Sequence, residues 1–217
     1  QFVGANPLHS FVGGSEDMPS WNLNIAREFI GNMQENPISG FPIQDTNGQF
    51  LHPLQTIVDD NRSNGLVTIL CPFGWNGTNE SLLTGKFPTE TIFWDAYKQK
   101  LALWAEHFKD QSDVWIEVWN EPYRFDRADG YTDDVWFTTM TELYSSVRNS
   151  GNNNIILIPC AEQGQDESVL INRGFEFLNT TSNVLFDIHA YEKWLLESNM
   201  NIDERIQNLQ ALNLPIF

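Results

Sequence analysis

The sequence predicts an α/β fold of parallel strands backed by outer helices. Three observations carry that reading: short apolar runs alternate with amphipathic stretches, turn-forming residues separate them, and the order strand then helix repeats. Parallel neighbours need crossover connections, and helices supply them. The 217 residues, 41% hydrophobic with eight Trp and fifteen Phe, suit a single domain with a sizeable core. A closed eight-stranded barrel typically takes about 250 residues, so the chain is short for one.

Strands are expected at Phe2–His9, Leu23–Ile30, Leu66–Pro72, Asp113–Trp119, Asn154–Pro159 and Val184–His189, and a seventh begins at Leu214-Pro215-Ile216-Phe217. Each is a short apolar run bounded by turn residues. Helices fit Leu51–Asn64, Thr91–Lys109, Asp133–Asn149, Glu167–Leu178 and Ile202–Leu212. The third opens on Thr132-Asp133-Asp134, a cap followed by acidic first-turn residues, and Ser150-Gly151 stops it. Between the first two strands only Val12–Trp21 is available, too short for a usual crossover helix. A doubly wound open sheet and a closed barrel both satisfy this pattern. In both, ligands meet the C-terminal ends of the strands.

Several function classes are excluded. The formal charge of −17, with Lys and Arg scattered, repels polyphosphate and speaks against nucleic acid. No run of about 18 apolar residues spans a membrane. No glycine-rich phosphate loop follows a strand and no Gly-x-Ser-x-Gly elbow occurs. The four histidines show no metal spacing and the carboxyls no calcium loop, so no cofactor is implied. Cys71 and Cys160 are open to a disulfide or to two buried thiols, and thiols are slightly favoured because each sits in or beside an apolar strand. Sequons begin at Asn61, Asn76, Asn79 and Asn179, and the chain starts at Gln1 without an initiator Met, as a processed secreted protein or a trimmed chain would.

The chemistry concentrates in Asp113-Val114-Trp115-Ile116-Glu117-Val118-Trp119-Asn120-Glu121. Period-two alternation sends Val114, Ile116 and Val118 toward the helices and Trp115, Glu117, Trp119 and Glu121 inward. A charge in the middle of a doubly covered strand must be paired, so Glu117 needs a cation, and Arg27 at the end of the second strand is the candidate. On this reading Glu117 orders the site without reacting. Glu121 stands at the C-terminal rim, where Pro122 ends the ladder. Beside aromatics, partial desolvation would let it hold a proton near neutral pH.

The segment Ile116-Glu117-Val118-Trp119-Asn120-Glu121-Pro122 resembles the fourth-strand signature of glycoside hydrolase family 5. Asn24-Ile25-Ala26-Arg27 is similar to that family's second-strand motif, and Asp187-Ile188-His189-Ala190-Tyr191 to its sixth-strand His-x-Tyr pair. The resemblance runs nearly the whole chain and implies an incomplete (β/α)8 TIM barrel. It also implies retaining, endo-acting hydrolysis of a β-1,4-linked glucan or mannan. In it Glu121 is the general acid/base, Asn120 contacts the sugar and the nucleophile, Arg27 steadies the nucleophile, and His189 and Tyr191 line the catalytic subsite. The partner is then an oligosaccharide or polysaccharide.

Two departures shape further expectations. The third strand, ending Leu70-Cys71-Pro72-Phe73-Gly74-Trp75, lacks the family's His. Trp75 or Phe73 either forms a sugar-stacking wall there or packs the barrel top. The family's nucleophilic Glu comes a few residues after a stretch like Leu214–Phe217, so the chain reads as truncated, its exposed edges to be covered by self-association. Glu162, at the end of the fifth strand, is the nearest substitute in barrel order, and is otherwise a substrate hydrogen-bonding or solvated residue. His9, ending the first strand, either reaches the site or is structural. The alternative function is carbohydrate binding without hydrolysis.

Overall fold

The computed structural model describes residues 1–7, 9, 13–196 and 201–217. Six parallel strands form one sheet in the order β1 (Gly4–Ala5), β2 (Ile25–Ile30), β5 (Val67–Pro72), β6 (Val114–Glu117), β7 (Ile156–Pro159), β8 (Val184–Asp187). A two-stranded antiparallel hairpin, β3 (Ile43–Gln44) with β4 (Phe50–Leu51), stands apart from it. The crossovers are α1 (Leu54–Ser63), α2 (Trp94–Phe108), α3 (Asp133–Arg148) and α5 (Ser168–Thr180). One turn, α4 (Ala161–Gly164), precedes α5, and α6 (Glu192–Leu196) and α7 (Ile202–Ala211) follow β8. Strand order equal to chain order, with helices on one face, is an arc of a (β/α)8 barrel and not a doubly wound sheet.

The crossover helices form where apolar residues recur at three- and four-residue spacing. In α2 these are Tyr97, Leu101, Trp104, Ala105 and Phe108; in α3, Trp136, Met140, Leu143 and Val147. They bury one stripe against Ile30, Leu70, Ile116, Ile158 and Phe186 of the sheet. Thr132 caps α3 by accepting from the Val135 N–H at 3.2 Å, with Asp133 and Asp134 in the first turn and Arg148 in the last. Among the described residues between β1 and β2, a four-residue 3-10 turn, Met18–Trp21, stands where a crossover helix would.

The six predicted strands all form, trimmed at their ends. The first shrinks most, from Phe2–His9 to Gly4–Ala5, and Leu8 of the expected span lies outside the described residues. Gly4 lies so close to β2 that a Cβ there would meet the Ile25 carbonyl oxygen at 2.5 Å. The expected seventh strand has begun: Ile216 bridges Phe186 in parallel, with Phe186 N–H donating to the Pro215 carbonyl at 2.8 Å. The β3–β4 hairpin was not foreseen. Both cysteines are buried free thiols. Asn61 is buried and donates to Glu28 and Thr68, so that sequon is closed in the folded protein.

Candidate active site

The inner face of the sheet carries two layers. Below, Ile25, Ile69, Trp115 and Leu157 form a small apolar cluster. Above it, toward the strand C-termini, stand Arg27 on β2, Glu117 on β6 and Asp187 on β8. The register Arg27↔Ile69↔Trp115 and Glu117↔Leu157↔Leu185 shows that these strands climb in step.

After Glu117 the alternation slips, which corrects one expectation. Trp119 does not face inward; its indole donates to the Leu83 carbonyl at 3.2 Å, and its ring lies 4.6 Å from Tyr97 on the helix side. The ladder ends at Glu117, so the pleat no longer dictates direction, and Tyr97 Oη fixes Val118 by donating to its carbonyl at 2.7 Å. Asn120 consequently turns inward. Glu121 follows in a left-handed conformation, φ 52°, that aims its carboxyl into the mouth of the arc.

The polar groups interlock there. Arg27 donates to Glu117 through a fork, Nε to Oε2 at 2.6 Å and Nη2 to Oε1 at 2.7 Å, and Nη2 also donates to Asn120 Oδ1 at 3.0 Å. The expected pairing of Glu117 with Arg27 is therefore present. Asn120 Nδ2 donates to Thr84 Oγ1 at 2.7 Å, and Thr84 donates to Glu121 Oε2 at 2.9 Å. The other carboxylate oxygen, Oε1, lies 2.9 Å from His189 Nδ1, and His189 Nε2 lies 3.0 Å from Asp187 Oδ2. Tyr191, 48% exposed at the rim, stands edge-on to His189 with ring centroids 5.5 Å apart, and its hydroxyl contributes to holding the Glu121 carboxyl ionised. Arg27, Asn120, Glu121, His189 and Tyr191 thus converge.

Charge follows from these contacts. Burial would lower the basicity of His189, but its bonds to Asp187 and Glu121 outweigh burial and push it up to about 10. An imidazolium bridging two carboxylates results. For Glu121 burial acts upward, yet His189, Thr84 and Tyr191 together hold the carboxyl below its ordinary range. This corrects the expectation of a protonated Glu121: its side chain is only 14% exposed, but it is surrounded by donors rather than by apolar surface. Burial pushes the Glu117 carboxyl up, and the Arg27 fork opposes it.

Ligand atoms of Glu117, Asp187 and His189 lie within 4.8 Å of one another. Arg27 already neutralises Glu117 and an imidazolium fills the space between the carboxylates, so a metal ion would compete with two resident cations.

Two expected site residues stand outside this cluster. Trp75 is 9% exposed and stacks on Phe93, with ring centroids 5.2 Å apart and planes 8° from parallel. That is the packing arrangement. Its remaining edge, with Lys86, Phe87 and Ile92, borders a groove of 760 Å³ beside α2. Glu162 is buried rather than solvated: it pairs with Lys193 and accepts from Tyr131 Oη at 3.3 Å. Its left-handed backbone, φ 51°, turns it to that side of the rim. Phe73 leans on Phe29, centroids 4.9 Å apart. His9 is structural, 2.8 Å from Glu28 on the helix-facing side.

Sequence reasoning missed Thr84 and the role of Asp187. Thr84 lies in the long β5–α2 loop, where no periodicity marks a direction. Asp187 was visible within the Asp187-Ile188-His189 motif, and its two-residue spacing from His189 places both on the inner face.

The family model described as cellulase, glycosyl hydrolase family 5, matches residues 15–216. A mannan endo-1,4-beta-mannosidase of Cellvibrio japonicus is 23% identical over 165 residues, which is 74% of this chain and 35% of that protein. The chain therefore spans about a third of that relative's length. Among solved structures, a beta-mannanase from Thermomonospora fusca is similar across 100% of this chain and 67% of its own, with a TM-score of 0.72 and 18% identity. Cel5A (EG2) from Hypocrea jecorina is similar over 77% of this chain and 50% of its own, with a TM-score of 0.55 and 20% identity. At such identities the solved structures speak for the fold.

Proposed function

The chain belongs to glycosyl hydrolase family 5, and from that premise we propose that it carries the acid/base half of a retaining endo-hydrolase acting on a β-1,4-linked polysaccharide. Mannan is the preferred backbone, because the relatives named above include two mannanases. The observation that supports this best is Glu121, held at the strand C-termini by His189, Thr84 and Asn120 beside the Arg27–Glu117 fork.

In this reading Glu121 protonates the departing glycosidic oxygen and then takes a proton from the attacking water. The nucleophilic Glu stands beyond Phe217 in the encoded protein, about 5–5.5 Å from Glu121, as retention requires. Its negative charge, and the water displaced by a bound sugar, raise the proton affinity of Glu121 from the depressed value set by His189. Asn120 is held by Thr84 and Arg27 to meet the sugar next to the scissile bond. Tyr191, His189, Glu162 and the exposed edge of Trp75 border the substrate path. A polymer of this kind does not enter cells, so the reaction is assigned to the extracellular side.

The test uses the protein encoded by the complete gene. It should cleave β-1,4-mannan with the β-anomer as first product, followed by proton NMR of the fresh reducing ends. Glu121→Gln should lower kcat roughly 10²–10⁴-fold on unactivated substrate. Equal rates in the two proteins would remove Glu121 from the chemistry, and an α-anomer first product would remove retention.

A further inference from the structure

We propose that Asp187 is a positioning residue: from the end of β8 it holds the His189 ring as a two-proton bridge, and so fixes the charge and direction of Glu121. The catalytic consequence rests on the role assigned to Glu121 above; the bridge itself does not.

The geometry leaves His189 little choice of pose. Asp187 is buried, ends β8, and is tied to β7 by the Cys160 N–H, which donates to its carbonyl at 3.0 Å. Two residues on, His189 presents Nε2 back to Asp187 at 3.0 Å and Nδ1 across the mouth to Glu121 at 2.9 Å. From the third side the chain presses on the ring. Gly164 accepts the His189 backbone N–H at 2.8 Å, and a Cβ on Gly164 would come within 2.7 Å of His189 Cγ. With the ring so placed, both nitrogens point at carboxylate oxygens, which only accept hydrogen bonds while ionised. A neutral imidazole has one N–H and would leave one carboxylate facing a lone pair. Two protons satisfy both contacts.

The charges around the ring favour the same state. Glu117 and Glu121 from β6 and its extension, and Asp187 on β8, are negative. Arg27 on β2 answers Glu117, Tyr191 contributes a hydroxyl, and Gly164 offers only backbone. Asp187 pairs with His189 and also lies in the field of Arg27. The ring in turn depresses the proton affinity of Glu121. Asp187 therefore acts on Glu121 at one remove and touches no sugar.

The experiment reads imidazole nitrogens directly. The protein is labelled with ¹⁵N-histidine and its four histidines are followed by long-range proton–nitrogen correlation from pH 6 to pH 10.5. His189 should show two protonated nitrogens at pH 8. In Asp187→Asn its midpoint should fall by at least one pH unit, a tenfold loss of proton affinity. In Glu121→Gln it should fall less, because Asp187 remains. A neutral His189 ring at pH 8 in the wild type overturns the proposal, and so does a larger fall in Glu121→Gln than in Asp187→Asn. The wild-type and Glu121→Gln spectra decide the matter even if Asp187→Asn does not fold. In the complete enzyme, Asp187→Asn should move the alkaline limb of kcat/KM to higher pH, since a neutral ring no longer depresses Glu121. Absence of hydrolysis in the wild type would defeat the proposed function and leave the nitrogen result standing.

Discussion

On the helix-facing side of the sheet, Tyr97, Trp104, Trp119, Trp136, Phe177 and Phe186 build a thick aromatic core. On the inner side, among the described residues, the buried apolar cluster is Ile25, Ile69, Trp115 and Leu157, and above it lie Arg27, Glu117, Asp187 and His189. The same strands thus present opposite materials on their two faces, one residue apart. The outer face stabilises the arc by removing apolar surface from water. The inner face places charges in a fixed pattern, which does little for stability and much for chemistry.

That contrast can be broken most severely from the outside. Trp136 is fully buried between α3 and the sheet, its indole donating to the Pro159 carbonyl at 2.9 Å. Trp136→Ala should cost about 3–5 kcal/mol in urea unfolding. Loss of Glu117 alone should cost a similar amount, about 3–5 kcal/mol, because it leaves the Arg27 guanidinium buried and unpaired. The sharper comparison is the double replacement of Arg27 by Met and Glu117 by Leu. It should restore stability to near wild type, since well-packed apolar pairs replace buried ion pairs at little or no cost. Sugar binding and turnover should stay lost. A double variant that is as unstable as the single one would show that the inner charges are structural.

A pH comparison isolates the inner face further. His189 is raised to about 10 in the folded chain, above the ordinary value near 6.5 of the unfolded one. Its contribution to stability is therefore full below about pH 6.5 and is lost as pH rises toward about 10. The stability gap between wild type and His189→Gln should narrow over that window, as read by urea midpoints at pH 6, 8 and 10. A gap that widens with pH would reverse the assigned charge. Smaller effects belong to the periphery. Thr132→Ala should cost about 1 kcal/mol through loss of the α3 cap. Arg62→Ala, which breaks a partly exposed pair with Asp113, should cost less than about 1 kcal/mol.

The outer face was legible in the sequence because its signals are periodic. Tyr97, Leu101, Trp104 and Phe108 announce a helix stripe, and Ile156–Pro159 announces a buried strand. The charged layer was partly legible for the same reason: a Glu at position 117 inside an apolar strand demands a cation, and Arg27 is that cation. Legibility stopped where the ladder stopped. Trp119 and Glu121 were assigned inward by an alternation that ends at Glu117, and only Glu121 arrives there, by a left-handed turn. Glu162 and Trp75 sit on loops whose direction depends on partners distant in sequence, Lys193 and Phe93. The ionisation of Glu121 was misread because its neighbours were taken as aromatic, whereas the fold supplies Thr84 and an imidazolium.

In the proposed function, the carboxyl of Glu121 meets the glycosidic oxygen. A crystal structure of the complete Glu121→Gln protein with a bound manno-oligosaccharide tests it most directly. The glycosidic oxygen should lie roughly 2.6–3.2 Å from the side chain at position 121, the reach of proton transfer, with Asn120 on the adjoining sugar. A sugar chain bound at the mouth of the arc with no atom of its glycosidic linkage near position 121 would contradict it.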